Sequence, residues 1–387
     1  MVARSLAGRS TLSPAVYFLL ALPILALLLR ARHGPSREKV IKPTEERVVL
    51  LGASSGVGKD LALAYARRGA KIVLVARRAA ALEAVKEECV ALGVAADRVL
   101  VVPADIRSPP DLLAVRDVVV NSWGGLDTLH ILAGVPSTRT LLQIAGVDLV
   151  PEPRPVVPRP RLVPAEDLAW VGPGGAYHSA THLPTGAGLE ALAAEARACS
   201  EINFVGTVLA LAAFIPVLIV SSASPAVHHL SSVAATIAAP RRCIYSATKA
   251  AALMAVESAR VECEGAGIRF FSLLPGTIDN EFRRKTAFSH NGGNCEVQAG
   301  VKAGWTEKLL LPPKKVVDTI ISQLALPTAP YPVIPYPPFS WVSGLRAPPK
   351  SQFYLPYTYK LATLLSLTPL GYLYVEPKAR QKYGLRP

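Results

Sequence analysis

The sequence contains few of the residues that form disulfides or structural metal sites. Its 387 residues include five cysteines, at positions 89, 199, 243, 263 and 295. Their number is odd and none lies in a C-x-x-C motif, which argues against a disulfide framework and a cysteine zinc site. His178 and His182 are four residues apart in a glycine-rich stretch that offers no further ligand, so we expect no bound metal.

Charged residues are also scarce. They make up 18% of the chain, against 51% hydrophobic residues, and a chain of this composition buries a large core rather than remaining disordered. The net charge of +14 is concentrated in the two ends, and the nearly neutral middle argues against a nucleic-acid-binding domain. Basic ends next to apolar segments suit an anionic membrane surface.

The N-terminal region has one long run without charge, Leu12–Leu29. As a helix this run would span about 27 Å, close to the hydrocarbon thickness of a bilayer. We therefore predict a membrane anchor with a basic flank over residues 1–44. A cleaved signal peptide is the alternative, but no A-x-A-like cleavage site follows the run. More basic residues follow the run than precede it, which places the rest of the chain in the cytosol.

Short β-branched runs, the first of them Arg47–Leu51, alternate with alanine- and leucine-rich segments over residues 45–326. Residues Ala193–Val220 are predicted to be helical, with Pro216 kinking or ending the helix. The runs are apolar throughout, as expected of parallel strands covered by helices on both faces, so the sequence predicts an α/β fold, a Rossmann-like doubly wound parallel sheet in a single domain. A proline-rich insertion, residues 150–184, is expected to be a surface loop. Residues 327–387 are predicted to be a proline-rich linker and an apolar extension. Its stretch Leu355–Val375 forms either an interfacial helix or lid, or a helix packed on the core.

A glycine-rich turn follows the first predicted strand, in the segment Gly52-Ala-Ser-Ser-Gly56-Val-Gly58. Glycines between a strand and a helix let backbone N–H groups and the helix N-terminus approach a pyrophosphate. Arg77 and Arg78 end the second strand, where a site that prefers NAD usually has an acidic residue. Because a guanidinium suits the 2′-phosphate instead, we predict NADPH/NADP+ as the cofactor.

Tyr245 and Lys249 are four residues apart and share one face of a predicted helix. The pair alone is weak evidence, since Tyr374 and Lys378 repeat the spacing. Two further residues strengthen it, because Ser232 closes the preceding predicted strand thirteen residues upstream of Tyr245, and Asn203 lies in a predicted helix before that strand.

In their order and spacing these motifs resemble the short-chain dehydrogenase/reductase family over about residues 48–280. The resemblance rests on the glycine-rich turn, Asp105, Leu132-Ala-Gly134, Asn203, Ser232, Tyr245-x-x-x-Lys249 and Pro275-Gly276. Within the family, the N-terminal apolar run and Arg77 are similar to the membrane-anchored hydroxysteroid and retinol dehydrogenase-like branch.

The resemblance implies a catalytic set of four residues. Tyr245 would transfer the proton as general acid or base, Ser232 would bind the substrate oxygen, and Lys249 would hold the nicotinamide ribose. Asn203 would support a water relay behind the lysine. The implied cofactor-binding residues are Gly52, Ser54, Ser55, Gly56, Val57, Gly58, Arg77, Arg78, Asp105, Ala133, Gly134, Tyr245, Lys249, Pro275 and Gly276, of which Asp105 would accept from the adenine amino group.

Two positions depart from the family pattern. Ile131-Leu132-Ala133-Gly134 replaces the usual Asn-Asn-Ala-Gly, and Asn280 stands where a threonine often contacts the carboxamide. Neither change affects the groups that transfer the proton, so we expect altered cofactor affinity and retained chemistry.

These observations together predict an NADPH-dependent oxidoreductase that interconverts a lipophilic carbonyl compound, such as a steroid, retinoid or lipid, and its alcohol. Substrate would enter under residues 282–311, whose glycine-rich start suits a mobile lid. A 3-ketosphinganine-type reductase and a non-catalytic, nucleotide-binding membrane scaffold are the alternatives. We expect the endoplasmic reticulum membrane as its location, with the catalytic domain facing the cytosol, and the family resemblance allows a homodimer.

Overall fold

The structure is a computed structural model. It describes residues 36–147, 149–152, 169–171, 177–180, 183–280, 310–326, 351–366, 368, 371–376 and 378–379. The predicted anchor, Leu12–Leu29, and almost all of the predicted lid segment, 282–311, lie outside the described residues.

The strands form one large sheet and one small sheet. In chain order they are β1 (Arg47–Leu51), β2 (Lys71–Ala76), β3 (Val99–Pro103), β4 (Thr128–Ile131), β5 (Leu149–Glu152), β6 (Ala169–Val171), β7 (Tyr177–Ala180), β8 (Ala226–Leu230), β9 (Arg269–Pro275) and β10 (Gln352–Leu355). The large sheet is parallel, with the order β10-β9-β8-β4-β1-β2-β3. The predicted doubly wound α/β fold is confirmed.

Helices cover both faces of the large sheet. Among the described residues the longer ones are α1 (Gly56–Arg67), α2 (Ala79–Ala91), α3 (Pro109–Trp123), α4 (Gly186–Ser200), α5 (Gly206–Ser221), α6 (Cys243–Glu262), α7 (Pro313–Ala325) and α8 (Thr358–Ser366). Short helices span Arg37–Val40 and Leu141–Ile144, and π-helical turns span Glu201–Val205 and Gly371–Val375. Because side chains alternate along a strand, Val48 and Leu50 of β1 pack under α1, α2 and α7, whereas Val49 and Leu51 pack under α3, α5 and α6.

Three regions differ from the sequence-based expectation. The sheet takes its last strand, β10, from beyond residue 326, where we expected the domain to end. The insertion 150–184 is more than a loop, because β5, β7 and β6 form an antiparallel sheet; Pro151 lies in β5, an edge strand, where a missing N–H is tolerated. Pro216 does not end its helix, since α5 continues to Ser221.

The segment that follows the predicted anchor is fixed to the amino end of the large sheet. Arg37 is 5% exposed, and its guanidinium binds the Glu46 carboxylate, the Thr128 hydroxyl (2.7 Å) and the carbonyl oxygens of Asp127 and Ser224. We had counted Arg37 in the basic flank of the anchor. Its charge is instead satisfied inside the domain, which leaves fewer cations in that flank for a membrane surface.

Among the described residues, one continuous helix, Gly186–Ser221, is long and apolar enough to cross a membrane. Its second half, α5, packs Ala210, Phe214 and Leu218 into the core under the large sheet. Core helices of soluble domains have the same composition, so this helix is weak evidence for a membrane span.

Candidate active site

A cavity of about 570 Å³ opens at the carboxyl end of the large sheet, where β1, β2, β4, β8 and β9 end. All the sequence-predicted cofactor-binding residues line it, and so do Ser232, Tyr245 and Lys249. Asn203, the fourth predicted catalytic residue, does not line the cavity. In parallel α/β sheets, ligands bind at this end, on either side of the point where the strand order reverses.

The glycines of the first turn bring backbone close to backbone. Gly52 has φ +110°, and a Cβ there would lie 2.7 Å from the Ala133 nitrogen. A Cβ on Gly58 would lie 2.0 Å from the Gly52 carbonyl oxygen, so only glycine lets α1 begin this near β1. Ser55, just before α1, makes no capping hydrogen bond with its side chain. The first residues of α1, Gly56, Val57 and Gly58, line the cavity and have no side-chain cap, so their N–H groups are candidates to bind a pyrophosphate.

Cationic and anionic side chains lie at the end of the cavity beyond β2. Arg77 and Arg78 are exposed, and Arg78 Nη2 donates to Ser54 Oγ over 3.0 Å, which ties the arginine to the glycine-rich turn. Asp105 accepts hydrogen bonds from the Arg107 side chain and backbone (2.6 to 3.1 Å), and these bonds lower the pKa of its carboxyl group. Arg107 is a residue that sequence reasoning missed. The fit to a phosphorylated adenosine is good, because the cations are accessible and the acid remains ionised.

The proton-transfer candidates meet at the other end of the cavity. Tyr245 and Lys249 lie on the first turns of α6 and are 9% and 5% exposed. Lys249 Nζ donates to the Leu230 carbonyl oxygen over 3.0 Å, and burial lowers the pKa of its ammonium group to about 8. Ser232 is the second residue after β8, and its Oγ accepts from the Ala234 N–H over 3.2 Å. The strand end and the helix start thus bring all three residues to the lining of the same cavity.

Asn203 is fully buried in the π-helical turn between α4 and α5. Its Oδ1 accepts from the Val135 N–H (2.8 Å), and its Nδ2 lies within hydrogen-bond distance of the Val135 carbonyl oxygen and the Thr248 hydroxyl, each 3.0 Å away. A Cβ on Gly134 would lie 3.3 Å from both Asn203 Oδ1 and Lys249 Nζ. Asn203 therefore positions the turn after β4 and the residue before Lys249.

The turn that lacks the usual asparagines is held by other groups. The N–H groups of Leu132 and Ala133 both donate to the Leu51 carbonyl oxygen over 2.9 Å, and Asn203 holds Val135 beyond the turn. Asn280 lines the cavity next to Gly56. A Cβ added to Gly56 would lie 3.5 Å from the side-chain amide nitrogen of Asn280. Neither departure from the family pattern disrupts the cavity.

Sequence reasoning also missed residues that no short motif marks. Val135, Ile202 and Ile278 add apolar surface to the cavity lining. Arg242 adds a cation whose Cζ lies 6.0 Å from the centre of the Tyr245 ring. Tyr359 of α8 packs on Gly276, where a Cβ would lie 2.8 Å from its ring. The C-terminal extension therefore contributes to the wall beside the Pro275-Gly276 turn, a contact that only the tertiary fold reveals.

A family model described as short chain dehydrogenase matches residues 46–148 and 177–290, together more than half of the chain. The curated protein named 11-beta-hydroxysteroid dehydrogenase 1A of Arabidopsis thaliana is 30% identical over 245 residues, which are 63% of this chain. The match spans only 56% of the Arabidopsis protein.

Solved structures share the fold. A short-chain dehydrogenase/reductase of unknown function from Caenorhabditis elegans, crystallised with cofactor, aligns over 72% of this chain and 88% of its own, with a TM-score of 0.52 and 19% identity. An alcohol dehydrogenase from the archaeon Thermococcus sibiricus, in complex with 5-hydroxy-NADP, aligns over 73% of this chain and 92% of its own, with a TM-score of 0.51 and 22% identity.

Proposed function

The chain belongs to the short-chain dehydrogenase family, with relatives in its hydroxysteroid dehydrogenase-like branch, and on that premise we propose that it is an NADPH-dependent oxidoreductase that interconverts a lipophilic carbonyl compound and its alcohol. The observation that supports this most is the single cavity into which the glycine-rich turn, Ser232, Tyr245 and Lys249 all project. A phosphate cradle and a proton-transfer group in one cavity suit hydride transfer coupled to proton transfer.

The chain's own residues supply the proton and the binding of the oxygen. When bound, a nicotinamide cofactor supplies or accepts the hydride. Tyr245 is the general acid for reduction and the general base for oxidation, and the Lys249 ammonium four residues along the helix favours its phenolate form. Ser232 Oγ binds the substrate oxygen, where negative charge develops. Asn203 acts through the backbone that it holds, and its part in a water relay remains a proposal.

NADPH is favoured over NADH by the residues that follow β2. Two exposed arginines lie where an acidic residue would bind the ribose hydroxyls of NADH, and Ser54 fixes the position of Arg78. Bidentate, charge-assisted hydrogen bonds from a guanidinium to the 2′-phosphate are strong and specific. The adenine amino group is proposed to donate to the carboxylate of Asp105, whose pKa is lowered by hydrogen bonds from Arg107.

A lipophilic substrate and a membrane location are favoured by the C-terminal extension. In α8, Tyr359 packs beside the cavity, and the hydroxyl of Thr363 makes a hydrogen bond of 3.1 Å with that of Thr236. Leu361 and Leu364 of the same helix are more than half exposed. An apolar surface next to the cavity mouth suits transfer of a substrate from a bilayer. The endoplasmic reticulum, with the domain in the cytosol, remains our proposed location, since the N-terminal apolar run and its basic flank support an anchor.

A homodimer through α5 and α6 is also part of the proposal. Both helices leave large apolar side chains exposed, among them Val220 (83%) and Met254 (67%). Pairing of the two helices with a second copy would remove these side chains from water.

Two alternatives remain. A 3-ketosphinganine-type reductase would use the same site on a long-chain substrate, and the exposed leucines of α8 do not discriminate between that substrate and a steroid. A scaffold that binds nucleotide without turnover is disfavoured by the presence of Ser232, Tyr245 and Lys249 in one cavity.

The direct test is turnover by the full-length protein in detergent with steroid, retinoid, sphingoid and quinone carbonyls, followed by NADPH or NADH absorbance. We expect the kcat/KM for NADPH to exceed that for NADH. The variant Arg77→Ala/Arg78→Ala should raise the KM for NADPH roughly 10- to 100-fold, the value of one or two charge-assisted hydrogen bonds, and leave that for NADH nearly unchanged. NADPH binding without turnover of any carbonyl would favour the scaffold, and equal effects on both nucleotides would contradict the role of the arginines.

A further inference from the structure

Arg77 and Asp105 follow two neighbouring strands and lie side by side at one end of the cavity. Where the ladder of β2 and β3 ends, the Ala104 N–H donates to the Ala76 carbonyl oxygen over 3.0 Å. Arg77 and Asp105 are the next residues of these two segments, and both line the cavity. A carboxylate is therefore close to the guanidinium that we expect to bind the 2′-phosphate.

The Asp105 carboxylate is bound by a different arginine, Arg107. Arg107 Nη2 donates to Asp105 Oδ2 over 2.6 Å, Nε lies 3.1 Å from both carboxylate oxygens, and the backbone N–H donates to Oδ1 over 3.0 Å. These hydrogen bonds are the main cause that lowers the pKa of Asp105, and the positive charge of Arg77 lowers it further. Because a planar guanidinium matches both oxygens of a carboxylate, the Arg107 side chain holds Asp105 in one defined geometry.

The two arginines after β2 differ in their contacts. Arg78 donates to Ser54, whereas Arg77 is exposed and has no hydrogen-bond or ion-pair partner among the described residues. A second carboxylate, that of Glu201, also attracts Arg107. The acids near this end of the cavity thus interact with Arg107, and the Arg77 side chain remains available to a ligand.

We propose that Arg107 sets the cofactor preference by occupying the Asp105 carboxylate, which leaves Arg77 to bind the 2′-phosphate of NADPH. This inference rests on the proposed preference for NADPH and adds a positioning residue on which that preference depends. Without Arg107, Arg77 pairs with Asp105, and the carboxylate also repels the doubly charged 2′-phosphate. NADH has no phosphate at this position, so its binding changes little.

A direct role for Arg107 gives a different result in a double-mutant cycle. Its guanidinium would then bind or attract the 2′-phosphate itself, although Arg107 does not line the cavity. In that case its removal weakens NADPH binding whether or not residue 105 carries a charge. If Arg107 acts through Asp105, the loss disappears once Asp105→Asn has removed the competing carboxylate, as expected of two coupled residues.

The test is calorimetry of NADP+ and NAD+, which differ only in the 2′-phosphate, with full-length protein in detergent. The proteins are wild type, Arg107→Met, Asp105→Asn and the double variant. Arg116→Met is the matched control, because Arg116 binds Asp117 through two donors (2.7 and 2.9 Å) at the protein surface and does not line the cavity. Thermal unfolding of each variant detects a purely structural loss.

We expect Arg107→Met to lower the ratio of the Kd for NAD+ to the Kd for NADP+ roughly 3- to 5-fold, the upper range for an exposed ion pair. The Kd for NAD+ and the unfolding midpoint should change little. Asp105→Asn and the double variant should share one ratio, and Arg116→Met should keep that of wild type. The proposal is overturned by an unchanged ratio, by equal losses for both nucleotides, or by a loss that persists in the Asp105→Asn background.

Turnover assays separate this proposal from the proposed function. If no carbonyl is reduced but the Kd ratio still depends on Arg107, the assignment as an oxidoreductase fails and the role of Arg107 stands. If wild type binds both nucleotides equally, the preference for NADPH and the role of Arg107 fail together. Carbonyl turnover with either nucleotide would then still support an oxidoreductase.

Discussion

The two ends of the large sheet use polar residues in opposite ways. At the amino end, Arg37 and Glu46 are almost completely buried, and their hydrogen bonds go to each other, to Thr128 and to backbone carbonyls. At the carboxyl end, Arg77 and Arg78 are exposed and Ser232 and Tyr245 border an open cavity. Similar groups therefore contribute to stability at one end and to ligand binding at the other.

The polar groups at the amino end make their hydrogen bonds within the protein, whereas we propose that those at the carboxyl end bind a ligand. A buried ion pair that loses one partner leaves an uncompensated charge, so the amino end should be sensitive to single substitutions. At the carboxyl end Arg77 and Arg78 are exposed, and Ser232 and Tyr245 line a cavity. Their substitution should reduce catalysis or binding while the free energy of unfolding changes little. Each prediction below tests this division.

The largest expected effect is on catalysis at the carboxyl end. Tyr245→Phe removes the hydroxyl that transfers the proton, and general acid–base catalysis typically contributes a factor of roughly 100 to 10,000. We expect kcat to fall by that factor with NADPH affinity and the unfolding midpoint nearly unchanged. Steady-state kinetics, nucleotide titration and thermal unfolding of the same preparation measure all three.

Tyr374→Phe is the matched control for that substitution. Tyr374 and Lys378 repeat the spacing of Tyr245 and Lys249, but Tyr374 is 60% exposed and does not line the cavity. Its activity should equal that of wild type. If Tyr245→Phe keeps wild-type kcat, or if it unfolds the protein, the assignment of Tyr245 to the functional end is wrong.

At the amino end, Arg37→Met should lower the free energy of unfolding by about 3–5 kcal/mol, the usual cost of breaking a buried ion pair on one side. The kcat of the protein that remains folded should not change, because Arg37 lies at the opposite end of the sheet from the cavity. Urea unfolding and active-site-normalised kinetics check the two halves of the prediction. A large loss of kcat without a loss of stability would contradict it.

Neighbouring changes make the Arg37 test specific. Lys39→Met alters an exposed cation in the same short helix and should change the unfolding free energy by less than about 0.5 kcal/mol. Arg37→Met/Glu46→Gln removes both charges and should be less destabilised than Arg37→Met alone. For the same reason, an anchor-deleted protein that begins at residue 40 should be less stable than one that begins at residue 36.

The sequence predicted the fold well where the signal is local. β1 was predicted at Arg47–Leu51 and occurs there, because a parallel strand buried on both faces must be apolar throughout. β10 was missed, since its four residues lie beyond a proline-rich stretch and become a strand only by pairing with β9. Pro216 was expected to kink or end a helix; it does not end it, since α5 continues to Ser221 and packs Ala210, Phe214 and Leu218 into the core.

The candidate site shows the same limit. Glycines of the phosphate turn and the pair Tyr245 and Lys249 are recognisable because their spacing is dictated by one turn or one helix face. Arg242 has no such spacing, since its place beside Tyr245 depends on the left-handed conformation of Arg241. The tethering of Asn203 to Val135 and Thr248 depends on three separate segments that meet only in the folded protein.

The smallest effect expected of a single side chain is that of each buried histidine in β4 and β8 on the pH dependence of stability. Burial lowers the pKa of His228 to about 3 and holds those of His130 and His229 well below their usual value. These side chains are neutral when folded and take up protons only on unfolding. The unfolding free energy should therefore fall as the pH drops below about 6.5, by roughly 1.4 kcal/mol per pH unit for each histidine.

Urea unfolding at pH 6.5, 5.5 and 4.5 measures that slope, and His229→Leu provides the sharpest comparison. Its Nδ1 makes only a long contact of 3.5 Å with Ser272 Oγ, and among the described residues its Nε2 has no hydrogen-bond partner. The variant should thus lose little stability at neutral pH. Its free energy of unfolding should depend less steeply on pH, by the contribution of one histidine. An unchanged slope would mean that His229 already binds a proton in the folded protein. The closed interior of the sheet would then tolerate a charge that, by our comparison, only its open carboxyl end accepts.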